Sequence, residues 1–464
     1  MTTSSKKADA PGTARSPGVT VQELLDAERV PVPDVLRRTG YDYMGSEPIP
    51  AERYTSRAFH ELELEKLWPR VWQMVCREEE IPNVGDHVIY EIGDTSLLVM
   101  RSETGRIQGF YNVCLHRGRL LRTQGGNVSK LRCPFHGFTW NLDGSLREVP
   151  CAWDFPHVKA EEFGLPEVRI DTWGGFVFLN MDADAPPLAD YLGDLPGEFE
   201  GWDYENRYKR AHVGKVVAMN WKVGVEAFIE SFHVLATHPQ IMPSTGDTNT
   251  QYDVTEADHF NRMITAMGTP SPHLGDAVDR DAIVRSMTYS NDRPEIPEGM
   301  SAREYVGELR RKMLEESTGR DYSGATVSEV VDAIQYWVFP NFFPWGGVTD
   351  NLIYRFRPWG GPDRALMEVM FLSPVPEGGP RPKPAPMRLL GEDEDWTDAA
   401  DQLGPVAAVF QQDMANMPIV QKGLASMKGG QVTIADYQES RIRHLHRLLE
   451  RYCYGVTVQD AGNA

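Results

Sequence analysis

Cysteine is scarce in this chain: five in 464 residues, at positions 76, 114, 133, 151 and 453. An odd, sparse set in so long a chain does not build a disulfide framework, so the expectation is a reducing, cytoplasmic compartment in which cysteine serves metal chemistry. Long hydrophobic runs are missing too. No uninterrupted apolar stretch approaches the ~18 residues of a membrane span. The opening residues, MTTSSKKADAPGTARSPG, hold lysines with no apolar core behind them and read as a disordered tail rather than a secretory signal. Positive charge is in deficit, 47 Lys and Arg against 67 Asp and Glu for a net −20. That balance argues against nucleic acid or an anionic membrane as partner. No internal repeat and no nucleotide-binding glycine motif is visible.

What the chain does have is the stretch Asn220 to His238, NWKVGVEAFIESFHVLATH. Read as one helix and its end, it puts Glu226, Glu230 and His233 on one face, because positions three and four apart are neighbours. His238 lies too far round for a straight helix. Pro239 pushes it out of helical geometry, which lets the last turn open and swing His238 back. Two imidazoles converging beside carboxylates suit a divalent iron. From this stretch alone, an amphipathic core helix with two incidental histidines reads equally well. Glu230, one turn before His233, can hydrogen-bond its ring.

Elsewhere the pattern is mixed. Residues 20–30 and 55–69 read as short amphipathic helices, the second capped by Thr55 or Ser56. From about Val84 the period falls to two: DHVIYEI, TSLLVMR and IQGFYNV alternate with turns, and Asp143-Gly144 marks a hairpin, as in a small antiparallel β domain. Residues 240–330 are irregular around one strong helix, Ser301 to Glu316, and read either as a cap over a site or as a surface excursion. NLIYRFRPW and ALMEVMFLSPV read as adjacent strands, and VAAVFQQDMANMPIVQKGLAS as a helix. His444 and His446, on the last helix, read as surface or interface residues. The fold class is α+β.

Inside the β region sit Cys114-x-His116 and Cys133-x-x-His136. Two loops, each with one thiolate and one imidazole, can grip a centre from both sides. A structural zinc site is one reading. The other is a Rieske [2Fe–2S] cluster, with cysteines on one iron and histidines on the other. The spacing favours the second, because zinc loops usually pair Cys with Cys before His with His, and here each loop mixes them.

The combination resembles the catalytic α subunit of the Rieske non-haem iron oxygenases, the aromatic-ring-hydroxylating family, from about Arg53 to Cys453. The resemblance implies a small antiparallel Rieske domain inserted into a larger catalytic domain whose antiparallel sheet is covered by helices. It divides the chain into an N-terminal tail and helices packing on the catalytic domain (1–48), a Rieske domain (49–165) and a catalytic domain (166–464). It makes Cys114, His116, Cys133 and His136 the cluster ligands. It supplies Asp413, ahead of Gln421-Lys422-Gly423, as third ligand with His233 and His238 to a mononuclear Fe(II). It also makes Glu230 a bridge from the iron histidine to a cluster histidine of a neighbouring subunit in a homotrimer. The family usually has Asp at that position, and Asn where this chain has Ala227. Alignment to the family offers Phe228, Val234, Gln335, Trp337, Ala407 and Phe410 as pocket walls. No arginine stands out for a substrate carboxylate. The implied function is a terminal oxygenase that uses O2 to hydroxylate an apolar aromatic or polycyclic compound. Its NAD(P)H-derived electrons come through a ferredoxin and/or flavin reductase, with or without a β subunit. A monooxygenase or demethylase of the same class is the alternative, and a non-catalytic zinc-binding protein a more distant one.

Overall fold

The structure, a computed structural model, describes residues 10–456 other than 291, 293 and 294. The tail expected at residues 1–18 therefore lies partly outside the described residues, at 1–9. The rest of it is held: Arg15 stacks 3.5 Å over the Tyr437 ring, and Ser16 meets Thr248. Among the described residues no helix is long and apolar enough to cross a membrane.

Two large sheets form the frame. The first has seven strands, all paired antiparallel: 73–77, 176–180, 167–173, 107–111, 95–101, 86–92 and 126–127. A three-stranded sheet (131–132, 139–140, 146–148) closes over one end. Between them a small core gathers Leu98, Met100, Phe110, Leu131, Phe138 and Trp140 around Cys114 and Cys133. The strands at 167–173 and 176–180 belong to this first sheet, so a division at 165/166 cuts it between paired strands. We propose the boundary after Asn180, which leaves the sheet whole.

The second sheet has eight strands, antiparallel except at the edge, where 388–390 runs parallel to Arg207–Val217. Every residue of its strand Asn351–Pro358 is buried. Strand residues alternate between faces, and both faces here are covered. Leu352, Tyr354 and Phe356 enter one cluster with the Trp221–Ala227, Val406–Ala425 and Ser440–Tyr454 helices, while Ile353 enters another with Phe176, Phe178 and Tyr336. The α+β class with helices over an antiparallel sheet is what the structure has.

The stretch 220–238 is not one helix. Helix Trp221–Ala227 stops at Phe228, and a second short helix runs Val234–Thr237. Tyr252 Oη accepts from Ser231 N at 3.0 Å, and the Glu230 carboxylate accepts from His233 N at 3.0 Å, so side chains replace helical acceptors across the break. Glu226 turns away from the site: Tyr54 Oη donates to it at 2.9 Å and His446 Nε2 at 2.8 Å. His444 and His446 are buried, at 0% and 4% exposure, contrary to the sequence reading. Each is satisfied, His444 by Asn261 and the Asp258 carbonyl, His446 by Arg53 and Glu226. Burial pushes His444 down to about 3 and His446 well below the usual imidazole range, so both stay neutral. Their helix lies between the sheet and the N-terminal segment, a placement its mixed charge pattern does not reveal.

Candidate metal centres and cavity

The two Cys/His loops have the same backbone. Gly118 N bonds back to Cys114 O and Gly137 N to Cys133 O, both at 3.0 Å. Cys114 N donates to Arg119 O and Cys133 N to Phe138 O, both at 2.8 Å. Gly118 and Gly137 close these turns at φ 73° and 82°, where a side chain would be strained. Both cysteines are buried at 2% and free of disulfides. Burial raises the Cys114 thiol, and the backbone N–H groups of His116 and Arg117 oppose that by favouring the thiolate. The His116 and His136 rings meet edge to face with centroids 4.7 Å apart, and His136 is exposed. No three of these four side chains bring ligand atoms within 4.8 Å of one another. Thiolates inside, imidazoles outside and no single point of convergence fit a two-iron cluster better than one tetrahedral zinc.

In the second half of the chain, His233, His238 and Asp413 do converge, their ligand atoms all within 4.8 Å. Asp413 Oδ1 is 2.9 Å from His238 Nε2 and 3.7 Å from His233 Nε2. Each ring is oriented from behind. His233 Nδ1 donates to Glu230 Oε1 at 2.6 Å, and His238 Nδ1 to Gln412 Oε1 at 2.8 Å. With both Nδ1–H groups committed, two lone pairs and a carboxylate face one point, which suits a cation there. Two histidines and one carboxylate are the donor set of a non-haem iron with open positions. Gln412, itself held by Gln240 at 2.7 Å, is a supporting residue the sequence reading missed. Only its place beside Asp413 hinted at it. Gln421 has a structural part: its Oε1 accepts from Asn220 N at 2.8 Å, and its Nε2 donates to Tyr54 O at 3.2 Å. It ties the Asp413 helix to the start of the 221–227 helix.

Without a metal, a proton takes the place of the cation. Burial alone would lower the His233 pKa, but the Glu230 carboxylate, with Asp413, more than offsets it and pushes it up to about 9. The folded value lies above the unfolded 6.5, so this stabilisation of the metal-free chain is full below 6.5 and fades as pH rises through about 9. Iron must displace that proton. Anaerobic Fe(II) titration of the metal-free chain at pH 7 is therefore expected to release about one proton from this site, with affinity rising up to tenfold per pH unit until about pH 9. Iron affinity that does not vary between pH 6 and 9 would contradict this charge arrangement.

The trio opens into a cavity of about 360 Å³. Of the candidate wall residues, Phe228, Val234, Gln335 and Phe410 line it. Trp337 and Ala407 do not: they are 0% and 1% exposed within the core. Trp337 lies two residues past Gln335 along its strand and donates to Pro340 O at 3.2 Å. On the 406–425 helix, Val406, Val409, Phe410 and Asp413 face the cavity, and Ala407 is turned about 100° from Val406. Ile241, Thr245, Met263, Met267, Tyr289 and Arg310, from the irregular 240–330 region, also line the wall, so that region covers the site.

A Rieske-type fold and, in the same chain, a cavity floored by two histidines and a carboxylate define the class: a Rieske non-haem iron oxygenase α subunit. Residues 197–455 match the family model "Ring hydroxylating alpha subunit (catalytic domain)", and residues 71–159 match "Rieske [2Fe-2S] domain". The chain belongs to the ring-hydroxylating α-subunit family, whose members carry a Rieske [2Fe–2S] cluster and a mononuclear iron and take O2 as co-substrate. The chain is 28% identical over 247 residues to the glycine betaine monooxygenase oxygenase subunit of Pseudomonas aeruginosa, covering 52% of this chain and 56% of that one. It is 33% identical over 195 residues to the biphenyl 2,3-dioxygenase α subunit of Rhodococcus jostii, covering 40% and 41%. These matches span about half the length of the curated relatives. Among solved structures, a quaternary ammonium Rieske monooxygenase superposes with TM-score 0.63 at 18% identity, covering 88% of this chain and 95% of that one. Naphthalene 1,2-dioxygenase from Rhodococcus sp. superposes with TM-score 0.59 at 22% identity, covering 88% and 95%. At such identities the likeness is one of fold.

Proposed function

We propose that this chain is a terminal oxygenase that hydroxylates an apolar, aromatic-bodied substrate. The carrying observation is the His233–His238–Asp413 trio opening into a cavity walled by Phe228, Val234, Leu352, Val409 and Phe410. His233, His238 and Asp413 would hold Fe(II), and Cys114, His116, Cys133 and His136 the [2Fe–2S] cluster. The iron would supply dioxygen activation, and the cluster one-electron delivery. The chain's own side chains do the rest. Glu230 and Gln412 hold the imidazole tautomers, and the apolar walls desolvate and orient the substrate beside the trio. Asp413, buried at 5%, supplies the fixed negative charge that a divalent cation needs there.

The electron donor in this reading is a separate ferredoxin or flavin reductase. The assembly is a homotrimer, with or without a β subunit, in which the exposed His136 edge of one subunit meets Glu230 of the next. Both Glu230 oxygens already bond to His233, at 2.6 and 3.0 Å, so the longer glutamate serves the iron histidine twice before any such bridge. The compartment is cytoplasmic, with no nucleic-acid or membrane partner.

A second reading, monooxygenation or demethylation of a quaternary ammonium, draws on the aromatic faces around the cavity. Tyr354 has ring neighbours Phe228, Phe410 and Trp345 at 4.7, 5.8 and 6.0 Å, and such faces attract cations. Oxygen uptake with a surrogate reductase, run across naphthalene, biphenyl, steroids, choline and glycine betaine, separates the two. Hydroxylated aromatic products are expected. Formaldehyde or aldehyde release from the ammonium compounds alone would replace the first reading by the second, and uptake with neither class would sink both.

A further inference from the structure

We propose that Arg310 makes this cavity selective for substrates that carry a carboxylate on their aromatic body. This rests on the aromatic reading above and adds to it. Arg310 sits on the Ala302–Thr318 helix, on the same face as Arg303 two turns earlier. The two arginines are treated differently. Arg303 is fully engaged: Asp332 takes both its Nη groups, Nη2 also reaches Ser328 Oγ at 2.7 Å, and Nη1 reaches Met267 O at 2.5 Å. Arg310 lines the cavity, and among the described residues it makes one hydrogen bond, Nη1 to Val330 O at 3.3 Å, with no carboxylate within 4 Å.

The acids near it are spoken for. Asp332 holds Arg303, Asp350 pairs with Arg210 at 3.1 Å, and Glu230 and Asp413 serve the histidines. A half-buried guanidinium with no ion pair of its own among the described residues, only the more distant pull of an Asp332 carboxylate already bonded to Arg303, is costly, and its planar fork matches a carboxylate. Arg310 is the one Arg or Lys on the described cavity wall, which suits a monoanion rather than a phosphate dianion. Tyr289, also on the wall, supports the same reading: it ends the Arg280–Thr288 helix at φ 52°, a left-handed conformation that is strained for an aromatic residue. Strain kept beside an unpaired cation marks a binding surface more readily than a packing accident. The elements that carry Arg310 and Tyr289 carry none of the metal-ligating side chains, so the cavity can read one end of a substrate independently of the end presented to the trio.

The test is equilibrium binding to the holoprotein under anaerobic conditions by titration calorimetry, with no turnover required. The probes are benzoate, 2-naphthoate and biphenyl-4-carboxylate, each against its methyl ketone of similar shape. The best carboxylate is expected to bind about 10- to 100-fold more tightly than its ketone. Arg310→Gln should bring that ratio to about one, and Arg310→Lys should restore part of it. Because the readout is a ratio, a general loosening of the variant does not imitate the result. Equal binding of carboxylates and ketones to the wild-type chain overturns the role of Arg310 and leaves the aromatic reading standing. So does a ratio untouched by Arg310→Gln. Binding of neither series overturns the aromatic reading and this inference with it.

Discussion

Asp413→Ala is expected to empty the mononuclear site and abolish substrate-coupled oxygen uptake, while the red-brown spectrum of the [2Fe–2S] cluster stays intact. The reason is geometric. Asp413 Oδ1 is the point on which the two Nε2 atoms converge, and it is the one anionic donor of the three. The loss should exceed the roughly 10–100-fold that removing a supporting partner costs in metal affinity. Metal analysis, acid-labile sulfide and the visible spectrum, read on one sample, check it. Iron retained at the wild-type ratio, or a cluster lost together with it, would show that the two centres are not the separate constructions described above.

How far was this legible beforehand? The paired Cys/His loops and the convergence of His233, His238 and Asp413 were, because ligand chemistry restricts residue type and spacing: Cys-x-His with Cys-x-x-His leaves few readings, and the ligand atoms of the trio lie within 4.8 Å of one another. The path between them was less so. A single helix opening only in its last turn before Pro239 fitted the local pattern, yet the chain already breaks at Phe228, because Tyr252, from outside the stretch, and the Glu230 carboxylate within it take the place of helical partners. Glu226 has helical spacing from Glu230, yet it points to Tyr54 and His446, since the break removes the face they would have shared. Wall residues were harder still. Phe228 and Phe410 line the cavity while Trp337 and Ala407 do not, and nothing local separates them, because a cavity wall and a core have the same composition. Arg310 was illegible for a related reason. Its helix is charged on several sides, and only the pairing of Arg303 with Asp332 shows that Arg310 has no ion pair among the described residues.

Glu368 makes the larger claim on stability. It is 1% exposed and holds three groups at once: Arg355 at 2.5 and 2.7 Å, Arg357 at 3.2 Å and His212 at 3.2 Å. Lys209 donates to His212 Nδ1 at 3.1 Å, so it is Nε2–H that His212 offers to the carboxylate. The arginines then reach across to the first sheet and its surroundings. Arg355 Nη1 donates to the carbonyls of Met74 and Val75 at 2.8 and 2.7 Å, and Arg357 Nη1 to that of Glu91 at 2.7 Å. One carboxylate thus anchors the seven-stranded sheet to the eight-stranded one. Burial would raise its pKa, but Arg355 and Arg357 drive it well below the usual carboxylate range. A depressed folded pKa gives stability that is present above the unfolded value, near 4.5, and lost as pH falls through the folded one. Glu368→Gln removes the negative charge and strands two buried guanidinium groups, a change that costs about 3–5 kcal/mol. Urea unfolding at pH 7 should show that loss in the midpoint. Adding Arg355→Met to Glu368→Gln should recover part of it, since fewer unpaired charges then remain buried. A Glu368→Gln chain with a wild-type midpoint would mean that water reaches this cluster and that the sheets are held by their other contacts, the apolar core and links such as Arg77 to the Arg207 carbonyl.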